Sequence, residues 1–431
     1  MKNKAAINRD YEHARDIYAE TGVDTDMALE TLAEIPLSLP CWQGDDIQGF
    51  ESRGRSEPGG GVAVTGGYPG RARNADELRR DLGQALQLIP GRHRIGIHAI
   101  YGEFGPRSVE RDEIDTLHFK GWMEWASGHE VKLDFHPTCF GHPKADSGFT
   151  LAHPDNHIRD FWVRHVKKCR VISADLGKKQ QSPCLHNLWI PDGYKDIPVD
   201  RAGRRLALIE SLDEIFKHEY PDHLMKDSLE SKLFGIGSEA FVAGSHEFYL
   251  GYALTRKKMI CLDTGHFHPT ESIVDKISAL LPFMPEINLH ISRGIRWDSD
   301  HVPVFSDEVR KLAQEIVRCK AWGRVHFGLD FFDASINRVG AWVLGARSVQ
   351  KALLAALLEP TAILQEFEDK GNYLSRLVGM EAGKTLPLGT VWDMFCLQHK
   401  VPCGQNWLER IKKYEREVLS KREKSEEPSG K

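Results

Sequence analysis

Short apolar runs recur along this chain, separated by amphipathic stretches of helix length. Eight runs read as strands: 37–42 (LSLPCW), 94–100 (RIGIHAI), 130–136 (EVKLDFH), 185–190 (LHNLWI), 229–234 (LESKLF), 258–263 (KMICLD), 286–292 (EINLHIS) and 324–330 (RVHFGLD). Gly, Pro, Asp or charged residues bound each run, as they commonly bound strands. Between the runs, apolar residues fall three and four apart. Leu78, Leu82, Leu86 and Ile89 form one such face within 76–89, and 307–316 and 341–358 repeat the pattern. That spacing predicts amphipathic helices. Strands alternating with helices predict right-handed βαβ units and a parallel sheet. Eight is the number that closes a (β/α)8 TIM barrel, although an open doubly wound sheet alternates in the same way.

The flanks differ from this rhythm. Residues 8–21 and 24–32 read as two N-terminal helices, and helical spacing returns beyond 359, as in 407–419. The predicted organisation is a barrel with helical lead-in over 1–358, a C-terminal helical extension over 359–420, and a frayed charged tail over 421–431. Residues 49–70 (GFESRGRSEPGGGVAVTGGYPG) are too long and Gly-rich for a simple connection. Loops of that length are usually lids, binding loops or disordered.

Composition narrows the class of protein. The chain has 431 residues, 41% hydrophobic and 28% charged. Those proportions are ordinary for a globular protein and exclude a disordered chain or a fibre. With 57 basic and 62 acidic side chains the net charge is −5, so there is no basic excess to neutralise a nucleic-acid backbone. The eight cysteines (41, 139, 169, 184, 261, 319, 396, 403) form no C-x-x-C pair. Mostly buried free thiols in a reducing cytosol are therefore expected rather than a zinc ribbon or a disulfide framework. No apolar run approaches the 18 residues of a membrane span, and the N-terminus lacks the apolar core of a signal peptide, so a cytoplasmic protein is expected.

In a barrel, chemistry sits where the strands end. The fifth run carries Glu230 and Lys232, two apart and so able to share a face. The sixth ends in Asp263, with His266 just beyond. The seventh carries His290, followed by a loop with Asp298 and Asp300, and the eighth ends in Asp330. Taken singly, each has an ordinary reading: a helix-capping Asp, a satisfied core His, a turn. Together, one assumed topology brings five carboxylates and two imidazoles to one place. Carboxylates so clustered repel one another unless cations hold them. Mixed oxygen and imidazole donors suit Mn2+, Mg2+ or Co2+ better than a soft thiolate site does. The donors suffice for two ions. One partition gives the first Glu230, Asp263, His290 and Asp330. The second takes His266, Asp298 and Asp300, and shares Asp263 or Glu230.

The segments LESKLFGIGSEAFVAGS, CLDTGHFHPTE, RWDSDHV and GLDFFDASINR closely resemble the L-rhamnose isomerases, as do LPCWQGDD, HAIYGE, NLWIPDGYKD and LLEPTA. The resemblance runs from the N-terminal helices to about residue 420. It implies a (β/α)8 barrel related in site design to xylose isomerase, interconverting L-rhamnose and L-rhamnulose with two divalent ions. Mn2+ is the first expectation, with Mg2+, Co2+ or Zn2+ as alternatives. It also implies the same partition of the seven ligands, a hydride-shift route, and a homotetramer whose arms are the helices beyond 359. On this reading Lys232 hydrogen-bonds the carbonyl oxygen, Asp298 handles the oxygen proton with Asp300 assisting, and His98 transfers the proton at the ring oxygen during opening. Trp189 and Phe332 wall the sugar. Val62, Val64 and Tyr101 are candidates for the apolar patch that meets its methyl group.

One competing pattern stands out. Residues 235–240 (GIGSEA) fit G-x-G-x-x-A after a strand, and Asp263 lies roughly twenty residues beyond, as a nicotinamide-binding turn expects. That oxidoreductase reading leaves the remaining carboxylates and imidazoles without a role. A metal-dependent phosphodiesterase barrel would want a basic groove, against the net charge of −5. A non-catalytic barrel scaffold would be indifferent to metal removal. The Gly-Lys-Thr at 383–385 lacks the spacing and the strand of a P-loop, and no H-E-x-x-H or G-x-S-x-G occurs.

Overall fold

The computed structural model describes residues 4–51, 62, 64, 66–105, 108–232, 239–268, 270–295 and 299–423. Two helices lead in: α1 (Lys4–Ala19) and α2 (Thr25–Glu34). Eight strands then alternate with helices: β1 (Leu37–Pro40), α3 (Ala75–Leu86), β2 (His93–His98), α4 (Lys120–Gly128), β3 (Lys132–His136), α5 (Asn156–Gln180), β4 (Cys184–Leu188), α6 (Arg201–Phe216) and β5 (Met225–Glu230). After these come α7 (His246–Arg256), β6 (Met259–Asp263), α8 (Val274–Leu280), β7 (Ile287–Ile291), α9 (Asp307–Arg318), β8 (Val325–Leu329) and α10 (Arg338–Leu357). The extension is α11 (Thr361–Asp369), α12 (Tyr373–Gly383), α13 (Leu388–Gln398) and α14 (Trp407–Tyr414), with helical structure continuing to Glu423.

Local signals explain where the helices start. Asn74 accepts from the Glu77 N–H at the head of α3, and Ser306 does the same for Val309 at the head of α9. Each satisfies a donor the first helical turn leaves unpaired. In α9, Val309, Leu312, Ala313 and Ile316 are buried, the three-and-four spacing that turns one face to the barrel.

The strands pair in parallel, in the order β3-β2-β1-β8-β7-β6-β5-β4. Leu37 of β1 stands opposite Phe327 of β8, which joins the first strand to the last. Side chains close the circuit between β3 and β4. The Leu185 N–H donates to Asp134 Oδ1 at 2.9 Å, and the Asn187 N–H donates to His136 Nδ1 at 3.1 Å. The Gln180 side-chain amide, at the end of α5, pairs with both backbone groups of Leu133 like a strand neighbour. The result is the (β/α)8 barrel that the alternation predicts, with helical additions at both ends.

Two expectations need correction. The first run ends its strand at Pro40, and Cys41–Gly44 turn into a 3-10 helix. The fifth strand is Met225–Glu230, four residues earlier than the 229–234 expected. Its polar residues hid it. Lys226 pairs with Glu286 and Asp227 with Arg170, so their charges are neutralised within a strand. Lys232 lies beyond that strand, and its backbone N–H donates to the Gly244 carbonyl at 3.0 Å. Strand alternation therefore does not place it on the face of Glu230.

No single helix among the described residues is long and apolar enough to cross a membrane. The pair α10 and α11, bent by 50°, has the length and apolarity together, but most of α10 is buried in the protein's own core.

Candidate metal centre

The carboxyl ends of β5, β6, β7 and β8 bring Glu230, Asp263, His290 and Asp330 together. One ligand atom from each lies within 4.8 Å of all the others. Around one ion with bonds of about 2.1 Å, neighbouring ligands stand about 3 Å apart and opposite ones about 4.2 Å apart, so a spread bounded at 4.8 Å comes within about 0.6 Å of a single coordination sphere. Register explains the convergence. Asp263 pairs with His290, so β6 and β7 carry their ligands level, while Glu230 pairs with Cys261 and His290 with Gly328, so Glu230 and Asp330 sit one same-face step to either side. Gly328 leaves the space His290 needs: a Cβ there would lie 2.9 Å from the imidazole Cδ2.

Electrostatics points the same way. His290 Nδ1 lies 3.3 Å from Glu230 Oε2 and 3.2 Å from Asp330 Oδ2. Burial by itself would raise the Glu230 carboxyl, yet His290 and His266 beside it hold it well below the usual carboxylate range. Burial would likewise lower His290, but Cys261, Glu230 and Asp330 push it well above an ordinary histidine. The cluster thus draws positive charge into its centre. A divalent cation satisfies that demand better than one proton, and three carboxylates with one imidazole are a donor set for a hard ion.

Neighbouring groups hold these ligands in place. Trp42 Nε1 donates to Asp330 Oδ1 at 3.0 Å. Asp263 Oδ1 accepts from the Gly265 N–H at 2.6 Å and from Ser292 Oγ at 3.0 Å. The Asn187 amide donates to Glu230 Oε2. The loop after β1 is latched to the loop after β8. Gln43 exchanges two hydrogen bonds with the Asp333 backbone, and Arg338 grips Asp46 through two nitrogens at 2.6 and 2.7 Å.

The remaining predicted residues fall as follows. His266 Nδ1 lies 3.2 Å from Glu230 Oε1, so it joins the same cluster from one side. Asp300 is half-buried with a left-handed backbone (φ 43°), and its carbonyl accepts from the Phe332 N–H at 3.2 Å. This brings Asp300 and Phe332 side by side. Asp298 lies outside the described residues, as do residues 233–238 of the Gly-rich segment and most of 52–65 in the Gly-rich loop. Val62 and Val64 are described and pack half-buried against the core. Lys232 is buried, with Nζ 2.7 Å from Glu239 Oε1, 3.0 Å from the Pro191 carbonyl and 5.7 Å from the centroid of the Trp189 ring. Trp189 is half-buried and meets Phe140 edge-on. His98 is half-buried at the end of β2. Its Nδ1 lies 3.1 Å from the Pro137 carbonyl, its ring meets Trp42 at 4.7 Å, and burial pushes it down to about 4. Tyr101 is fully enclosed and its hydroxyl donates to Asp45 at 2.7 Å.

Sequence reasoning passed over Trp42, Asn187, Gly328 and Ser292. Ser292 and Gly328 lie two positions from His290 and Asp330, so alternation puts them on the same faces; no such mark singles out Trp42 or Asn187.

A family profile described as L-rhamnose isomerase (RhaA) matches residues 5–422. The L-rhamnose isomerase of Rhodopirellula baltica is 54% identical over 99% of both chains. That of Bacteroides thetaiotaomicron is 51% identical over 98% of this chain and 100% of its own. A third, from Salmonella gallinarum, is 52% identical over 96% of this chain and 99% of its own. With the profile spanning nearly the whole length and relatives above half identity, this chain belongs to the L-rhamnose isomerase family.

Proposed function

We propose that this protein interconverts L-rhamnose and L-rhamnulose in the cytoplasm, by a metal-assisted hydride shift after ring opening. The observation that carries the reading is the convergence of Glu230, Asp263, His290 and Asp330 within 4.8 Å at the barrel mouth. Two divalent cations, Mn2+ foremost, supply Lewis acidity toward the two sugar oxygens. Glu230, Asp263, His290 and Asp330 hold the first. His266, Asp298 and Asp300 hold the second.

The chain's own residues do the rest. His98, kept neutral by its burial, exchanges the proton at the ring oxygen as the ring opens. The Lys232 ammonium hydrogen-bonds the carbonyl oxygen and stabilises negative charge as it grows there. Its present partners, Glu239 and the Pro191 carbonyl, hold it in place. Asp298 takes and returns the proton that passes between O2 and O1, with Asp300 assisting. Meanwhile the hydrogen on carbon moves directly between C1 and C2, so no base need stand over the carbon. Trp189 and Phe332 pack on the C–H faces of the sugar and exclude water. An apolar patch from Val62 and Val64 discriminates only weakly against an added hydroxyl, so other aldoses are turned over as well; Tyr101, fully enclosed, offers the sugar no surface.

The working assembly is a homotetramer. Supporting this, α12 buries none of its residues in the protomer, and Tyr373, Leu374, Leu377 and Val378 stand exposed on it. Such contiguous apolar surface is characteristic of an interface. The deciding assay is rhamnulose formed from rhamnose after chelation, with and without added Mn2+. Activity lost to chelator and restored by Mn2+ is expected; full activity without metal refutes the reading.

A further inference from the structure

A row of polar side chains crosses the barrel interior immediately beneath the metal centre. Asn187 of β4 and Ser228 of β5 stand opposite each other in register, and Glu230 lies two residues beyond Ser228 on the same face. All are buried, as is Asn288 of β7. This layer of a barrel is ordinarily filled by branched apolar residues. Polar groups there must be hydrogen-bonded to one another or cost free energy. Here they are, and all in one direction.

Asn288 Oδ1 accepts from the Leu289 N–H at 3.1 Å, which fixes the amide end that faces Ser228. Asn288 Nδ2 then donates to Ser228 Oγ at 3.2 Å. Ser228 Oγ donates to Asn187 Oδ1 at 2.7 Å. With its oxygen so occupied, Asn187 presents its amide nitrogen to Glu230 Oε2. A backbone N–H that cannot reverse thus sets the polarity of the whole row.

We propose that Asn187, Ser228 and Asn288 are positioning residues that set the cation affinity of the centre. The row fixes the Glu230 carboxylate in one orientation and holds it as an acceptor by filling one lone pair of Oε2. Oε1 is left for a cation to engage. Groups that orient metal ligands in this way are typically worth about ten- to a hundredfold in metal affinity. The inference rests on the metal centre proposed above and adds residues that touch neither cation nor sugar.

The test is calorimetric titration of Mn2+ into the chelator-stripped full-length protein, paired with thermal melts with and without Mn2+. Asn187→Leu should weaken Mn2+ binding by about ten- to a hundredfold. Ser228→Ala, which removes the polarity lock but changes little volume, should weaken it by a smaller factor, and Ser228→Thr should restore parental affinity. The rise in Tm given by a fixed Mn2+ concentration should shrink in the first two variants and not in the third. Parental affinity in folded Ser228→Ala and Asn187→Leu overturns the positioning role. So does a fall in Tm that is equal with and without metal. A parent protein that takes up no Mn2+ overturns the centre itself, a result distinct from either.

Discussion

His165 offers a sharp test of how the barrel holds its catalytic end. It is fully buried in α5, and two backbone groups fix its ring: Nδ1 lies 2.8 Å from the Arg111 carbonyl, and Nε2 accepts from the Thr138 N–H at 3.0 Å. Thr138 in turn stands 3.3 Å from His98 Nδ1, so this contact supports the wall of the site. Only the neutral ring with its proton on Nδ1 can make both bonds. Protonation would set a second N–H against that of Thr138, and burial already pushes His165 down to about 3. The sign follows from linkage. An unfolded histidine takes up a proton near pH 6.5, whereas the folded one does not, so stability is greatest above that pH and falls as acid is added. One and a half pH units below 6.5, at about 1.4 kcal/mol per unit, is about 2 kcal/mol lost by pH 5. The perturbation is His165→Gln, which removes the titrating ring and keeps a polar side chain facing Thr138. Urea unfolding of parent and variant at pH 7.5 and pH 5 gives four stabilities. Their double difference cancels the packing cost of the substitution and the titration of other buried histidines. The parent should lose about 2 kcal/mol more than the variant on acidification. Equal losses in the two proteins would refute the claim that His165 is held neutral.

Other outcomes follow from the centre. Trp42→Phe keeps an aromatic ring but removes the N–H from Asp330; a bond to a charged group is worth about 1.5–3 kcal/mol, so Mn2+ affinity measured by calorimetry should fall about tenfold or more. Gly328→Ala drives a methyl against the His290 ring, and elemental analysis should find less bound metal together with a lowered Tm of the purified protein. Asp298→Asn should leave the far-ultraviolet circular dichroism unchanged and nearly abolish turnover; substantial residual activity would remove Asp298 from proton transfer.

The period of the apolar pattern narrowed the architecture to parallel strands alternating with helices, in a closed barrel or an open sheet, because strands buried on both faces read as apolar runs; the pairing of β1 with β8 decided for closure. β6 is such a run, while Asn288, His290 and His326 interrupt β7 and β8; Asp263, His290 and Asp330 were legible as the polar residues at or just past the carboxyl ends of these stretches. β5 was displaced because Lys226 and Asp227 find their partners, Glu286 and Arg170, 60 and 57 residues away in sequence. No local pattern announces a charge that a distant partner neutralises. The same limit hid the supports of the site. Trp42 meets Asp330 across 288 positions, and Asn187 meets Glu230 across 43. Residue types at strand ends could name the candidate ligands, since five carboxylates and two imidazoles gathered at one barrel mouth repel one another unless cations hold them. Which side chains hold those ligands still, and in which direction their protons point, is decided by register between strands. Register is a property of the closed sheet, and only the tertiary structure contains it.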